Sequence, residues 1–457
     1  MNNKLAQKDE LFVLPYTDGK YCLYAPLRRS TAIINAKAAD VVYRYLETGR
    51  DDLSSKDINI INSLEKEGIL GGEIPEPPLF PENYEFCPHE VTLFLTSRCN
   101  LRCRYCYANA GHKSIDMPWK TAKKAIDFVA DNAGLLGSKS FAVGFHGGGE
   151  PTIAWEMMVR CVEYANEKAD SKGLDVEIFT ATNGFLSQHQ REYMAKHFTN
   201  INVSLDGPRD IQDYNRPTVD NLGSFDQVSD SLDYFNAAGL KYGIRSTVTA
   251  SGVHRMEEIV ESLHSRFNFM YLQIESAWAC GRCTTTEDPP PSDEDFITNF
   301  IKAFKRGREL GVNVTYSGAR LDMLTSKFCA APGDGFTVLP EGIVTSCYEI
   351  TERDDPRAKT FHYGQYDADE DIFNFDMDRI SKLRHMTVNN LPFCKDCFCK
   401  WHCAGDCLSK AFDFTKSTVH NGTTRCGINR ALTLAWLKMA IEKTENNNND
   451  FGENHGR

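Results

Sequence analysis

Cysteine is the residue of this 457-residue chain whose placement promises chemistry: sixteen are present, and most fall into two fields. In the first, Cys99, Cys103 and Cys106 form a CxxxCxxC that includes Tyr105. Four thiolates close a cubane iron–sulfur cluster, whereas three leave one iron without a protein ligand. An open metal position is what catalytic sites keep, as catalytic zinc does when it reserves a place for water or substrate. Further on stands His146-Gly147-Gly148-Gly149-Glu150-Pro151, where glycines let backbone approach a ligand and a fixed carboxylate accepts a hydrogen bond from an ammonium. The second field comprises Cys329, Cys347, Cys394, Cys397, Cys403, Cys407 and Cys426. Taken alone, the first motif also reads as three thiols of a zinc knuckle, and Cys394/Cys397 as half of a zinc ribbon.

These groups need a scaffold. Between Glu90 and Ser276 the apolar runs VTLFLT, FAVGFHG, VEIFTATNG, INVSLDG, YGIRSTVT and YLQIES alternate with helix-length amphipathic stretches, the pattern of parallel strands joined by crossover helices. About six such units are fewer than the eight of a closed barrel, so an α/β fold with a partial (β/α)6 barrel is expected, its chemistry at the strand C-terminal ends. Both motifs fall at such ends. Ahead of the barrel, β-rich runs over 11–16, 21–25 and 32–35, a turn at Asp18-Gly19 and helical patterns over 38–45 and 58–69 describe a small winged-helix-like module. Pro75, Pro77, Pro78 and Pro81 then mark a linker. Beyond Pro289-Pro290-Pro291 and a helix over 292–310, regular periodicity fades while cysteines gather, so the stretch from Cys329 to Cys426 looks shaped by metal. A last helix over 429–443 precedes ENNNNDFGENHGR, polar enough to be disordered. The expected division is therefore 1–80, 86–310, 325–430 and 431–457.

Composition narrows the partners. No apolar run approaches the roughly 20 residues that span a bilayer, and the N-terminus lacks the basic, apolar and small-residue sequence of a secretory signal. A cytoplasmic protein with no membrane partner is expected, and in that compartment clustered cysteines hold metal more often than disulfides. A net charge of −12 with no basic stripe argues against nucleic acid.

A CxxxCxxC after the first barrel strand, with an aromatic residue before its third cysteine, resembles the radical S-adenosylmethionine (SAM) superfamily. That resemblance implies a [4Fe-4S] cluster on Cys99, Cys103 and Cys106 whose fourth iron is chelated by the cofactor, with Tyr105 at the motif's aromatic position. It assigns Gly148, Gly149 and Glu150 to the methionine amino group. By the same resemblance Asn183 lies at the third-strand turn, Ser204 contacts ribose or carboxylate in a segment continuing to Asp206, Gly207 and Arg216, and Arg245 clamps the carboxylate. Each of the last three also has an ordinary reading, as turn former or ion-pairing residue.

The order and spacing of the seven later cysteines resemble the SPASM domain of peptide-modifying radical enzymes, which implies two auxiliary [4Fe-4S] clusters. Cys394, Cys397, Cys403 and Cys426 would hold the distal one, and Cys329, Cys347 and Cys407 the nearer one. Where some relatives have a fourth ligand this chain has Gly335, so that position is either open to substrate or filled by another residue, with Cys399, Cys280 and Cys283 as candidates. The resemblance points to a peptide maturase that takes hydrogen from a ribosomally made precursor and installs a crosslink or related oxidation. The N-terminal module would bind the leader by strand addition, and flavodoxin or ferredoxin would supply electrons. The alternative in the same superfamily is an anaerobic sulfatase maturase, which makes formylglycine. Those enzymes place an Asp directly after the second SPASM cysteine, whereas this chain has Tyr348 and Glu349, both candidate bases. From another class, a non-catalytic zinc-ribbon scaffold would account for the cysteines alone.

Overall fold

Alternation at period two builds the central sheet, because successive strand residues face opposite sides. In Ser140–Phe145 the side chains of Phe141, Val143 and Phe145 are buried in the main core on one face, while Gly144 and the following His146 take the other. The computed structural model describes residues 7–8, 10–81, 84–333, 335–416 and 420–453. Its N-terminal part is an antiparallel sheet in the order β1 (Gln7–Lys8), β2 (Leu11–Thr17), β3 (Lys20–Ala25), β4 (Ser30–Asn35), followed by helices α1 (Ala36–Thr48) and α2 (Ser55–Lys66). Asn35 caps α1 through the Ala38 N–H, and Ser54 with Asp57 forms a capping box on α2.

Six parallel strands follow in sequential order: β5 (Glu90–Leu93), β6 (Ser140–Phe145), β7 (Asp175–Thr182), β8 (Asn200–Ser204), β9 (Tyr242–Val248) and β10 (Leu272–Ser276). The connections carry α3 (Trp119–Leu135), α4 (Trp155–Lys172), α5 (Gln188–His197), α6 (Arg209–Asn215), α7 (Phe225–Ala237) and α8 (Met256–Arg266), with α9 (Asp293–Leu310) after β10. Their apolar faces, such as Ala122, Ala125, Ile126, Val129 and Ala133 of α3, cover the outer side of the sheet. This is the expected open (β/α)6 arrangement.

The sheet does not stop there. A short β11 (Val314–Thr315) joins β10, and on the opposite edge β12 (Thr337–Val338) pairs in parallel with β5. Three antiparallel strands extend it, β13 (Ile343–Thr345), β14 (His362–Asp367) and β15 (Ile372–Phe375). The cysteine-rich segment is thus continuous with the barrel sheet, a feature hidden in the sequence because strands of two to six residues carry little periodic signal. Short helices α10 (Ala358–Phe361), α11 (Met377–Arg384), α12 (Lys400–Cys403) and α13 (Leu408–Thr415) lead to α14 (Cys426–Glu453). The helix expected over 429–443 therefore runs on through most of the polar tail expected to be disordered. Once nucleated, a helix gains one hydrogen bond per added residue, and no proline interrupts this stretch. Residues 454–457 of that tail lie outside the described residues.

The inner face of the barrel sheet is polar above an aromatic floor. A Cβ on Gly144 would come within 2.2 Å of the Phe179 ring, and one on Gly243 within 2.4 Å of Tyr271. Each ring therefore lies across a glycine of the neighbouring strand.

The N-terminal sheet packs Phe12, Leu14, Cys22 and Tyr24 against Phe398, Cys399 and Cys403. Glu10 accepts a hydrogen bond from the Trp401 indole at 2.9 Å and pairs with Lys400, and Tyr24 bonds His402. Glu10→Ala removes a charge-assisted acceptor from this half-buried contact and is expected to cost about 2 kcal/mol, read as a lower denaturation midpoint. An unchanged midpoint would count against the docking.

Candidate functional site

The first cysteine loop leaves β5 and is held from three sides. Arg102 N–H donates to the Pro217 carbonyl at 2.7 Å and Arg104 N–H to Asn215 at 2.9 Å. Arg282 supplies its backbone N–H to the Cys106 carbonyl at 3.0 Å and its guanidinium to the carbonyls of Cys103 and Ala110, at 3.0 and 3.1 Å. Two glycines make the contacts possible. A Cβ on Gly149 would meet the Arg98 carbonyl at 2.0 Å, and Gly281, at φ +52°, would meet that of Cys106 at 2.3 Å.

All three thiols of the loop are free and half-buried. Hydrogen-bond donors face them: Asn183 Nδ2 approaches Cys99 Sγ at 4.0 Å, Arg216 Nη1 approaches Cys103 Sγ at 4.0 Å, and the Ala110 N–H approaches Cys106 Sγ at 3.5 Å. Burial, followed by repulsion from neighbouring cysteines and Glu150, pushes the Cys99 thiol up to about 12. Burial likewise raises Cys103 to about 11 despite the Arg216 charge. Thiols raised in this way are protonated at neutral pH, and a metal that binds them displaces the proton. Donors aimed at the sulfurs suit thiolates bearing the negative charge of a cluster. Among the described residues, no three His, Cys, Asp or Glu side chains are grouped to hold a single metal ion.

Asp206 is the hub behind this loop. Fully buried, it accepts hydrogen bonds from the Tyr105 hydroxyl (2.6 Å), Asn215 Nδ2 (3.1 Å), Arg216 Nε (3.1 Å) and the Thr247 N–H (3.0 Å). It thereby joins the cluster loop to β9 and the end of α6. Tyr105 faces this carboxylate, with the Arg216 guanidinium 5.2 Å from its ring centre. Sequence reasoning named Asp206 and Arg216 only as flanking residues, and passed over Arg282.

Glu150 is also a brace. It accepts from the Thr152 N–H and hydroxyl, at 3.2 and 2.8 Å, from the Thr182 hydroxyl at 2.8 Å and from the Asn183 N–H at 2.7 Å. Burial raises its carboxyl above the usual range although these bonds favour the charged form. Asn183 donates to Asn100 at 2.7 Å and accepts from the Phe185 N–H at 2.9 Å, so its side chain fixes the turn beside Cys99. Gly148, at φ +65°, lies against Phe94 and the Thr96 carbonyl. Ser204, the last residue of β8, is in register with Arg245 in the middle of β9. The Arg245 guanidinium makes no hydrogen bond or ion pair among the described residues, and its charge acts on Tyr107 and His146.

The second field separates into two sets. Cys394 feels the charges of Cys403, Cys397 and Cys426, and Cys347 those of Cys407 and Cys329. Cys399 belongs with the former set, its sulfur 3.3 Å from Cys397 Sγ. Cys280 shares Glu349, Lys410 and Arg357 as neighbours with the Cys347 region, whereas Cys283 is buried near Asp288. Glu349 accepts from Lys410 at 2.6 Å and Ser409 at 2.9 Å, with Arg357 at 3.9 Å. Burial opposes its charge, but the Lys410 ammonium and these bonds prevail and hold the carboxyl below the usual range. Tyr348 points elsewhere, its hydroxyl 2.9 Å from Thr92 Oγ1 and raised by burial to about 12. Tyr107 lies between the fields, within reach of charges on Cys106, Glu349 and Cys347.

The sequence profile of the Radical SAM superfamily matches residues 93–265, the stretch that carries this loop and strands β6 to β9. These residues form a radical SAM domain. Such a domain implies SAM and a [4Fe-4S] cluster as cofactors. The chain is 29% identical over 171 residues to an Fe-coproporphyrin III synthase of Methanosarcina barkeri, covering 37% of this chain and 39% of that protein. It is 25% identical over 186 residues to a cysteine-type anaerobic sulfatase-maturating enzyme of Clostridium perfringens, covering 39% and 49%. The chain thus spans half or less of the length of these two curated relatives. In fold the chain is similar to native anSMEcpe with bound AdoMet (TM-score 0.60, 18% identity, 77% of this chain and 98% of that one). It is also similar to Streptococcus suis SuiB bound to the precursor peptide SuiA (TM-score 0.52, 15% identity, 93% and 99%). No helix among the described residues is long and apolar enough to cross a membrane.

Proposed function

We propose that this radical SAM enzyme is a peptide maturase, in which Cys99, Cys103 and Cys106 hold the cofactor-cleaving cluster and the later cysteines hold two auxiliary clusters. The observation that carries this reading is that Tyr107, next to Cys106 in the first field, lies within electrostatic reach of Cys347 and Glu349 in the second, so the two fields meet near one side chain. When bound, the cluster and SAM supply a 5′-deoxyadenosyl radical that takes a hydrogen atom from an unactivated carbon. The chain's own residues do the rest. Arg245 would offer a bidentate clamp to the cofactor's carboxylate, Glu150 and Asp206 fix the loops that would hold it, and the aromatic rings of Phe179 and Tyr271 lie across the glycines below. The N-terminal sheet has β4 at one edge, where an extended leader peptide would add as a strand. Likeness to SuiB over most of the chain supports this reading.

Sequence similarity to a sulfatase-maturating enzyme favours a second reading, oxidation of Cys or Ser to formylglycine. The experiment that separates them incubates reconstituted enzyme, SAM and dithionite with candidate precursor peptides drawn from any short reading frames beside the gene. Loss of two hydrogens without a hydrazide-reactive carbonyl supports crosslinking, an aldehyde supports the second reading, and no change of mass contradicts both. For leader docking, the expected result is slowed amide hydrogen exchange across Ser30–Asn35 when the peptide is added. Unchanged exchange there would reject strand addition. About twelve irons per chain are expected if all three clusters are cubanes.

A further inference from the structure

Most polar side chains that line the lumen already have partners: Asp206 holds Arg216, Glu150 holds Thr182, Glu349 holds Lys410, and Glu275 accepts from the Ser317 hydroxyl at 3.0 Å. His146 is different. It follows β6, and its ring stacks on Tyr348 at 4.5 Å and 30° and on Phe94 at 5.8 Å and 24°. Tyr348 is itself anchored to Thr92, so the imidazole is held in place. Its Nδ1 is buried and has no hydrogen-bond partner, a cost that water or protein would otherwise remove.

Other histidines of this chain avoid that cost. His402 Nδ1 sits 3.0 Å from the carbonyls of both Arg320 and Met323, His420 Nε2 lies 2.7 Å from Gly405 O, and His362 Nε2 lies 3.1 Å from Ile350 O. A packing histidine here is a satisfied histidine. Level with His146 in the strand register stand Ala181, Asn202 and Gly243, the last covered by the Tyr271 ring. The Arg245 charge reaches both His146 and Tyr107, and the Tyr107 hydroxyl would lie 3.6 Å from a Cβ on the adjacent Gly147.

Burial, then the Arg245 charge, pushes the imidazole down to about 3, so it is neutral at physiological pH. A neutral imidazole has one N–H and one lone pair, which matches a group that also both donates and accepts. A peptide amide is such a group.

We infer that His146 is a further substrate-binding residue, whose ring nitrogen hydrogen-bonds an amide of the peptide in the chamber and sets which carbon faces the cofactor. This rests on the peptide-maturase reading. The test compares His146→Phe, which keeps a stacked ring without nitrogen, with His146→Asn, whose amide falls near the Nδ1 position, and His146→Gln, whose amide falls near Nε2. Using the precursor peptide, SAM and dithionite, one measures modified peptide formed per 5′-deoxyadenosine released. The expected ratio falls about tenfold in the Phe variant and recovers in the Asn variant more than in the Gln variant. A wild-type ratio in the Phe variant, or equal ratios for Asn and Gln, would overturn the inference. Should the Phe variant lose iron, the Asn and Gln pair still decides. Absence of modified peptide from the wild type removes the underlying reading together with this one, whereas an unchanged ratio in the variants removes this one alone.

Discussion

Replacing Cys99, Cys103 and Cys106 together by alanine is expected to reduce 5′-deoxyadenosine formation under dithionite to the level seen without enzyme. Nothing else in the loop can take their place, since its remaining side chains are engaged: Tyr105 with Asp206, Arg102 with the Cys99 and Leu101 carbonyls, and Arg104 with Tyr214. The later cysteines lie in a separate set beyond Tyr107. The variant should lose about four irons and keep those of the second field. Persistent formation of 5′-deoxyadenosine would place the cleavage elsewhere.

The second large effect concerns a residue that is no ligand. Asp206→Ala leaves the Arg216 guanidinium buried without its counter-charge, an unpaired state that costs about 3–5 kcal/mol. It also frees the Tyr105 hydroxyl and the Thr247 N–H. Because these partners lie on the cluster loop and on β9, the loss is expected both as a lowered denaturation midpoint and as poor iron loading at the first site. Asp206→Asn keeps an acceptor oxygen but not the charge, and should fall between the variant and wild type. Full iron loading in Asp206→Ala would show that the loop holds its shape without the hub.

What was legible in the sequence was local. The strand pattern of VTLFLT through YLQIES depends on period-two alternation within each run, and the CxxxCxxC and Gly-rich turn sit at run ends, so the open barrel and the place of its site could be read residue by residue. Asp206 was hidden for the opposite reason. Its four donors come from positions 105, 215, 216 and 247, and in the sequence it looks like an ordinary Asp-Gly turn. The available signal was a carboxylate after an apolar strand with an arginine ten residues on. Cys280 and Cys283 drew notice only as candidate ligands, yet it is Gly281 and Arg282 between them that press on the back of the first cysteine loop, a contact that spans some 175 residues of chain. Likewise β12 and β13 gave no periodic signal, although they carry Leu339 and Ile343 onto Phe94 and close that side of the lumen. Glu349 read as a base candidate because of its place after Cys347, whereas its ion pair with Lys410 is set by the fold of α13.

The account stands on three thiolates that leave one iron free for SAM. Electron paramagnetic resonance of the anaerobically reconstituted, dithionite-reduced protein, recorded before and after SAM is added, tests this directly. The expected result is a cluster signal whose g-values shift when SAM arrives and whose SAM-responsive part is missing from the Cys99/Cys103/Cys106 alanine variant. A spectrum indifferent to SAM, or a protein that binds zinc and contains no acid-labile sulfide, would contradict the account.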